Sequence, residues 1–192
     1  MRTYSHFLIT AALRKVFPKV PIAKSAVYLG SVAPDIPLLT MSVGGYLYFH
    51  YFLQWETRDT FRHLFDVLFF NDPFWIASHN FFQAPFILAV AIVTLWKVHG
   101  NGRVLESWWF WFFSACMIHA VIDILTHNDD GPLVFFPLDW TYRFASPVSY
   151  WDSDHYASEF TTFENTLDVG LIAYLLMPIV WTWIMRKFRK QG

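Results

Sequence analysis

Apolar residues along this chain fall into long unbroken stretches, without the every-other-residue alternation of a half-buried strand. Three of them contain no Asp, Glu, Lys or Arg: Phe81 to Trp96, Trp108 to Ile122 and Leu171 to Met185. As helices each would reach about 24 Å, slightly short of the ~20 residues that cross a bilayer comfortably. They are therefore either short membrane helices extended by polar flanks or buried helices of a protein lying on the membrane. Insertion is favoured, because so many Trp and Phe side chains would otherwise need a larger soluble core than this chain can wrap.

Period and punctuation predict helices over 3–16, 24–32, 58–70, 78–97, 104–127 and 160–189. The expected architecture is all-α: a single domain over 1–192, a helical bundle with about three membrane-embedded or membrane-buried helices. Pro18 and Pro21 close the first helix, and Pro34 and Pro37 bracket Asp35 in what reads as an extended loop. Gly44-Gly45, Asn71-Asp72-Pro73 and His99-Gly100-Asn101-Gly102 are further breaks. Residues 128–159 form the longest stretch without helical period, and a loop that long in a compact domain is more often functional than idle.

The polar exceptions carry the candidate chemistry. His119, Asp123 and His127 follow one another at steps of four, which on a helix stacks two imidazoles and a carboxylate on one face of an otherwise apolar run. A divalent ion would offset the cost of burying them, and zinc accepts this mixture of nitrogen and oxygen ligands. The competing reading is a core His satisfied by Asp123 with an unrelated His near the helix end. Helix lengths place His79 and His119 at similar depth, and Glu164 and Asp168 at the start of the last helix return to that level. His6 and Asp35 are further candidates, as are His155 with Glu159, four residues on, and His63 with Asp66, three on. Glu164 and Asp168 could equally favour the positive start of their helix. In the long loop, Trp140, Tyr142, Arg143, Tyr150 and Trp151 could shape a substrate entrance; an interfacial aromatic belt explains the aromatics equally well.

Composition narrows the class. The chain is 55% hydrophobic and 21% aromatic with only 15% charged residues, too apolar for an ordinary soluble domain of its size. A net charge of −1, with no basic stripe among the aromatics, gives no reason to expect nucleic acid. Basic residues cluster at Arg14, Lys15, Lys19 and Lys24, at Lys97 and Arg103, and at Arg186, Lys187, Arg189 and Lys190. The last cluster follows an apolar run directly and reads as a cytoplasmic flank or as a solvated helix end. With Cys116 alone, no intrachain disulfide forms. Phe7 to Leu13 reads as part of the first helix and not as a signal peptide.

In their order, His6, Ser31-Val32-Ala33-Pro34-Asp35, Ser78-His79, His119-Ala-Val-Ile-Asp123, Gly131-Pro132-Leu133 and Phe136-Pro137 resemble the bacterial membrane-bound metal-dependent hydrolases of the YdjM type. These are similar, more distantly, to the zinc-dependent phospholipase C and single-strand nuclease superfamily. The resemblance implies a primary metal site of Asp35, His79, His119 and Asp123, with His6 completing a neighbouring one. His127, His155 and Glu159 resemble the third-metal ligands of the secreted enzymes, and Glu164 is a further ligand or supporting candidate. It implies zinc, one or two ions with three as the upper bound, and it makes Asp35 the residue that bridges ions and orients the attacking water. Two departures stand out: Phe74 and Pro37 replace residues common in the membrane family. The secreted enzymes also use the amino group of an N-terminal Trp, whereas this chain begins Met1-Arg2.

The expected function is a membrane-bound zinc-dependent hydrolase of a phosphoester, with membrane phospholipid as the partner and candidate substrate. Metal chemistry makes a Ser or Cys nucleophile unnecessary. Arg143, Tyr150 and Trp151 are its candidate substrate contacts. The expected location is the bacterial inner membrane with the site toward the periplasm, opposite the basic helix ends. A scaffold with a structural metal and, further off, a membrane haem protein are the alternatives.

Overall fold

The computed structural model describes residues 1–100 and 102–189; Asn101 and Lys190, named above, lie outside them. It is all-α, and its described residues form no β-strand, only an isolated bridge between Leu133 and Arg143. The helices are α1 (Thr3–Val16), α2 (Lys24–Val32), α3 (Asp35–Tyr46), α4 (Thr57–Arg62), α5 (Pro73–Asn80), α6 (Pro85–His99), α7 (Trp108–Thr126) and α8 (Ala157–Arg189). Wider π-helical turns, Leu47–Phe52 and His63–Leu68, extend α3 and α4, and Phe69–Asn71 adds one further turn to α4.

Helix α7 is the centre of the bundle. Ala26 of α2, Leu88 of α6 and Phe112, Cys116 and Ala120 of α7 form its buried core. Gly30 makes the α2–α7 contact possible: a Cβ there would lie 2.3 Å from the carbonyl oxygen of Phe112. Because the two backbones approach this closely, the end of α2 is pinned beside the middle of α7.

Several starts are set by local chemistry. The Asp72 side chain accepts from the backbone N–H of Trp75, with Pro73 at the first helical position; Ser107 accepts likewise from Phe110. Both caps satisfy an otherwise unpaired donor. At the α6–α7 turn, Gly100 ends α6 at φ 72° and Gly102 has φ 95°, where glycine is the natural residue.

Four sequence expectations change. Residues 33–37 are not an extended loop but a short bend of 44° between α2 and the α3 segment. Gly44 and Gly45 lie inside α3 and do not break it. The single helix expected over 78–97 is two helices, so His79 sits at the end of α5 and does not open α6. The helix expected over 104–127 starts only at Trp108, after a 3-10 turn over Arg103–Glu106, and it stops at Thr126.

The bundle has a polar end and a basic end. Arg2 meets Glu164, Ser5 meets Asp168 and Lys15 meets Tyr174, so α1 and α8 run in the same direction. Trp108 bonds Ser25 and His119 bonds Ser31, so α2 and α7 also run together. In consequence Arg14, Lys15, Lys19, Lys24, Lys97, Arg103, Arg186, Lys187 and Arg189 lie toward one end, and the only acidic residue in those connections is Glu106. Two helices, α7 and α8, are long and apolar enough to cross a membrane, or up to four spans if α2 with α3 and α5 with α6 each count as one bent span.

Candidate metal centre

At the polar end, α1 brings His6 against His119 and Asp123 of α7. Among the described residues these three form the group of potential metal ligands, with ligand atoms all within 4.8 Å of one another, and all three are buried. The convergence expected of His119 and Asp123 is present. His127 lies one residue past the helix in extended conformation (φ −128°, ψ 129°); its Nδ1 is 3.7 Å from Asp123 Oδ1, outside the three-residue group.

The hydrogen bonds of His119 decide what it can do. Its Nδ1–H donates to the carbonyl of Ser31 at 2.8 Å, which leaves the lone pair of the neutral ring on Nε2. That Nε2 lies 2.9 Å from Asp123 Oδ2 and 3.3 Å from Asp35 Oδ1, yet its angles to them make no hydrogen bond. A lone pair held between two carboxylates is repulsive unless a proton or a cation lies among them. The His6 ring is stacked on it at 3.6 Å and 13°. A bound cation relieves the repulsion for both rings at once, so the donor set fits a divalent metal.

Asp123 gathers the other donors. Its Oδ1 lies 3.0 Å from His6 Nε2 and 3.3 Å from the Met1 amino nitrogen; its Oδ2 accepts from Gln83 Nε2 at 2.9 Å. The Met1 amino group also bonds Thr126 Oγ1 at 3.0 Å. Burial pushes the His6 imidazole toward its neutral form, against the pull of Asp123, and neutral imidazole is the form that binds metal. His6 Nδ1 and Asp35 Oδ2 have no hydrogen-bond partner among the described residues.

A cavity of about 860 Å³ opens beside this group, a volume in the usual range for ligand pockets. Asp35, His79, Gln83, Asp123 and His127 form polar parts of its lining, while Leu38, Leu39, Phe65, Phe69 and Phe70 form apolar ones. Tyr150 and Trp151 line it too, as expected of the long loop; the buried Tyr150 phenol is pushed up to about 12. Trp151 is held by its indole N–H on Asp130 at 2.8 Å.

The remaining candidates are placed differently. His79 lines the cavity but is not in the three-residue group; its Nδ1–H donates to Trp75 O at 2.9 Å and its Nε2 accepts from Asn80 at 3.0 Å. The Nδ1–H of His127 donates to the backbone carbonyl of Asp123 at 2.9 Å. His155 pairs with Asp152 at 2.7 Å, and Glu159 is exposed. Glu164 accepts from Arg2 N–H at 2.7 Å and Ser5 Oγ at 3.0 Å, so it ties the start of α1 to α8. His63 packs on Phe49 and Trp55, and Asp66 meets Arg62 in an exposed pair at 3.8 Å. Arg143 does not line the cavity: it stacks on Phe69 and Phe70 and donates to the Gly131 carbonyl, and burial lowers it to about 10. Trp140 and Tyr142 are exposed outside the lining.

Gln83, the Ser31 carbonyl and the Met1 amino group were missed by sequence reasoning. Gln83 carried a signal, as a lone amide at the start of the Phe81 to Trp96 run, four residues after His79. The Ser31 carbonyl is a backbone group with no signal of its own; the terminal amino group was set aside because Met1 stands where the secreted enzymes have Trp, yet it bonds Asp123 and Thr126. His6 and His119, stacked at 3.6 Å, leave no room for a haem macrocycle between them.

A family model described as zinc dependent phospholipase C matches residues 5–190. No curated protein and no solved structure matches this chain.

Proposed function

The chain belongs to the zinc-dependent phospholipase C family, and we propose that it is a membrane-bound zinc hydrolase acting on the phosphoester of a phospholipid. At family level it is a metal-dependent phosphoesterase, and its family implies zinc. The observation that carries the site is His119 Nε2, held between Asp123 and Asp35 with its other nitrogen committed to Ser31.

His6, His119 and Asp123 would hold the ion, with Asp35 at its cavity side. When bound there, zinc supplies Lewis acidity toward a phosphoryl oxygen. The protein supplies the rest. Asp35, whose Oδ2 is unpaired among the described residues, orients the attacking water and takes up its proton. Gln83 fixes the Asp123 carboxylate in one rotamer, and the Ser31 carbonyl does the same for His119. Tyr150 and Trp151 border the space where the ester would lie.

Two features support the membrane reading. The apolar window of α8 is 6% buried, and the apolar lengths of α7 and α8 suffice to cross a bilayer. The basic end carries the residues retained on the cytoplasmic side of membranes, so in a bacterial inner membrane the site would face the periplasm. A structural metal alone would be shut off from solvent, whereas here Asp35 and Asp123 both line the cavity.

The test is phosphodiester turnover by the purified protein in phosphatidylcholine nanodiscs, against Asp35→Asn at equal zinc content. A loss of at least about a hundredfold is expected, because the amide keeps the shape but removes the base. Undiminished turnover by the variant would sink the role of Asp35, and no turnover by the zinc-loaded wild type on any phosphodiester would sink the hydrolase reading.

A further inference from the structure

The segment from α3 to the end of α4 is a hairpin that rests on α5, at Trp75 and His79, and leaves much of its outgoing arm exposed. Residues 36–52 contain no Asp, Glu, Lys or Arg, about 26 Å of helix. None of α3 is buried among the described residues. Leu39, Val43, Leu47, Tyr51 and Phe52 are all more than half exposed. Exposed apolar area on this scale marks an interaction surface.

The hairpin is nonetheless preformed. Its two arms close on each other at Gly45, where a Cβ would lie 2.5 Å from Leu64 Cδ2, and Leu64 itself is fully buried. Tyr46 packs on Phe61 across the arms at 5.3 Å, and Phe49 on His63 at 4.8 Å. The arms differ in character. On the returning arm, Arg58, Arg62 and Asp66 recur at steps of four, so they share one face; Arg62 and Asp66 pair there and stay more than two-thirds exposed. A hairpin with an uncharged arm, a charged stripe and Tyr and Trp at its tip suits the boundary between lipid and water.

The inner side of this hairpin is a wall of the cavity. Leu38, Leu39 and Ser42 come from the outgoing arm and Phe65, Asp66, Phe69 and Phe70 from the returning one, with Asp66 at the edge where its carboxylate meets Arg62 in the open. Leu39 is at once a cavity residue and 64% exposed, so at this position the apolar lining reaches the outer surface of the hairpin. The polar wall, with Asp35, Gln83 and Asp123, faces this apolar one across a single space.

We propose that the α3–α4 hairpin is a lipid-embedded side entrance, through which a membrane lipid slides its acyl chains along Leu39, Phe65 and Phe70 and so brings its phosphoester to the metal centre without leaving the bilayer. The proposal rests on the phospholipid reading of the same site, and it specifies a substrate with long acyl chains approaching from the membrane. The 44° bend after α2 turns α3 off the bundle axis at Asp35, so the entrance and the metal centre adjoin.

The experiment places the full-length, zinc-loaded protein in palmitoyl-oleoyl-phosphatidylcholine nanodiscs that contain a phosphatidylcholine with a diazirine at the end of one acyl chain. After photolysis, label should appear in peptides covering 36–43 and 61–70 as well as in α8. Leu39→Glu should lower hairpin labelling about tenfold, given the cost of a carboxylate in lipid, while α8 labelling and zinc content stay unchanged. Leu39→Met should keep the wild-type pattern, which separates the loss of an apolar wall from mere misfolding. Label confined to α6, α7 and α8, or hairpin label indifferent to Leu39→Glu, would overturn the entrance. Labelling needs no turnover: hairpin label without any phosphodiester hydrolysis would sink the hydrolase reading alone, and hydrolysis without hairpin label would sink the entrance alone.

Discussion

Helices α7 and α8 are alike in hydropathy and opposite in use. Both are long and apolar enough to cross a membrane, but 44% of the apolar window of α7 is buried inside the protein and 6% of that of α8. In α7 the apolar residues serve the bundle core, and the buried polar exceptions, His119 and Asp123, face donors and acceptors from α1, α2 and the segment before α6, with His119 Nε2 left for a cation. In α8 the N-terminal half is held on α1, by Glu164 and Asp168 on Arg2 and Ser5 and by the Tyr174 carbonyl on Lys15, and most described apolar side chains beyond it are exposed. An apolar run therefore reports that a helix leaves water, and its partner must be read from the structure.

A charge placed in each helix breaks the likeness most sharply. Cys116→Asp, fully buried at the α2–α6–α7 contact, should cost several kcal/mol and yield little folded, zinc-loaded protein on size exclusion in detergent. Val180→Asp in α8 should leave folding and zinc content intact. Its cost falls on membrane insertion, about 2.5–3.5 kcal/mol for a central position, read as release of protein by carbonate washing. Equal loss of zinc in both variants would contradict the distinction.

Smaller changes sharpen it. Gly30→Ala forces α2 off α7 at the Phe112 carbonyl, so a destabilisation of about 1–3 kcal/mol is expected, seen as a lower Tm. Zinc affinity should fall with it, because the Ser31 carbonyl moves away from His119. Gln83→Ala should lower zinc affinity about tenfold with little change in Tm, since it frees the Asp123 carboxylate without opening the core. An unchanged affinity on competitive chelation would remove Gln83 from the site.

Much of this was legible in the sequence where one local rule acted alone. Helices 3–16 and 24–32 have the boundaries that period and proline placement predict. His119 and Asp123 were legible as well, because four-residue spacing inside an apolar helix fixes their relation before any tertiary contact. The α3 helix was misread because Pro37 looks like a breaker; at the third helical position its missing N–H has no intrahelical partner to lose. Gly44-Gly45 looked like a hinge, but Gly45 serves the approach of Leu64. His79 looked like a helix opener after Ser78, whereas the stronger signal six residues earlier, Asp72-Pro73, is the true start. His127 stays beside Asp123 but one residue past the helix end, which a four-step pattern cannot locate. His6 stood as a lone candidate in an apolar helix with nothing in its surroundings to pair it, and only folding brings it across 113 residues onto the ring of His119.

The central claim is that His6, His119 and Asp123 hold a metal ion, and elemental analysis of purified protein tests it most directly. Wild-type protein should carry at least one zinc per chain, His119→Ala and Asp123→Ala should each lose most of it, and Glu159→Gln, outside the centre, should keep it. Full zinc occupancy in His119→Ala and Asp123→Ala, with folding confirmed by far-UV circular dichroism, would contradict the assignment.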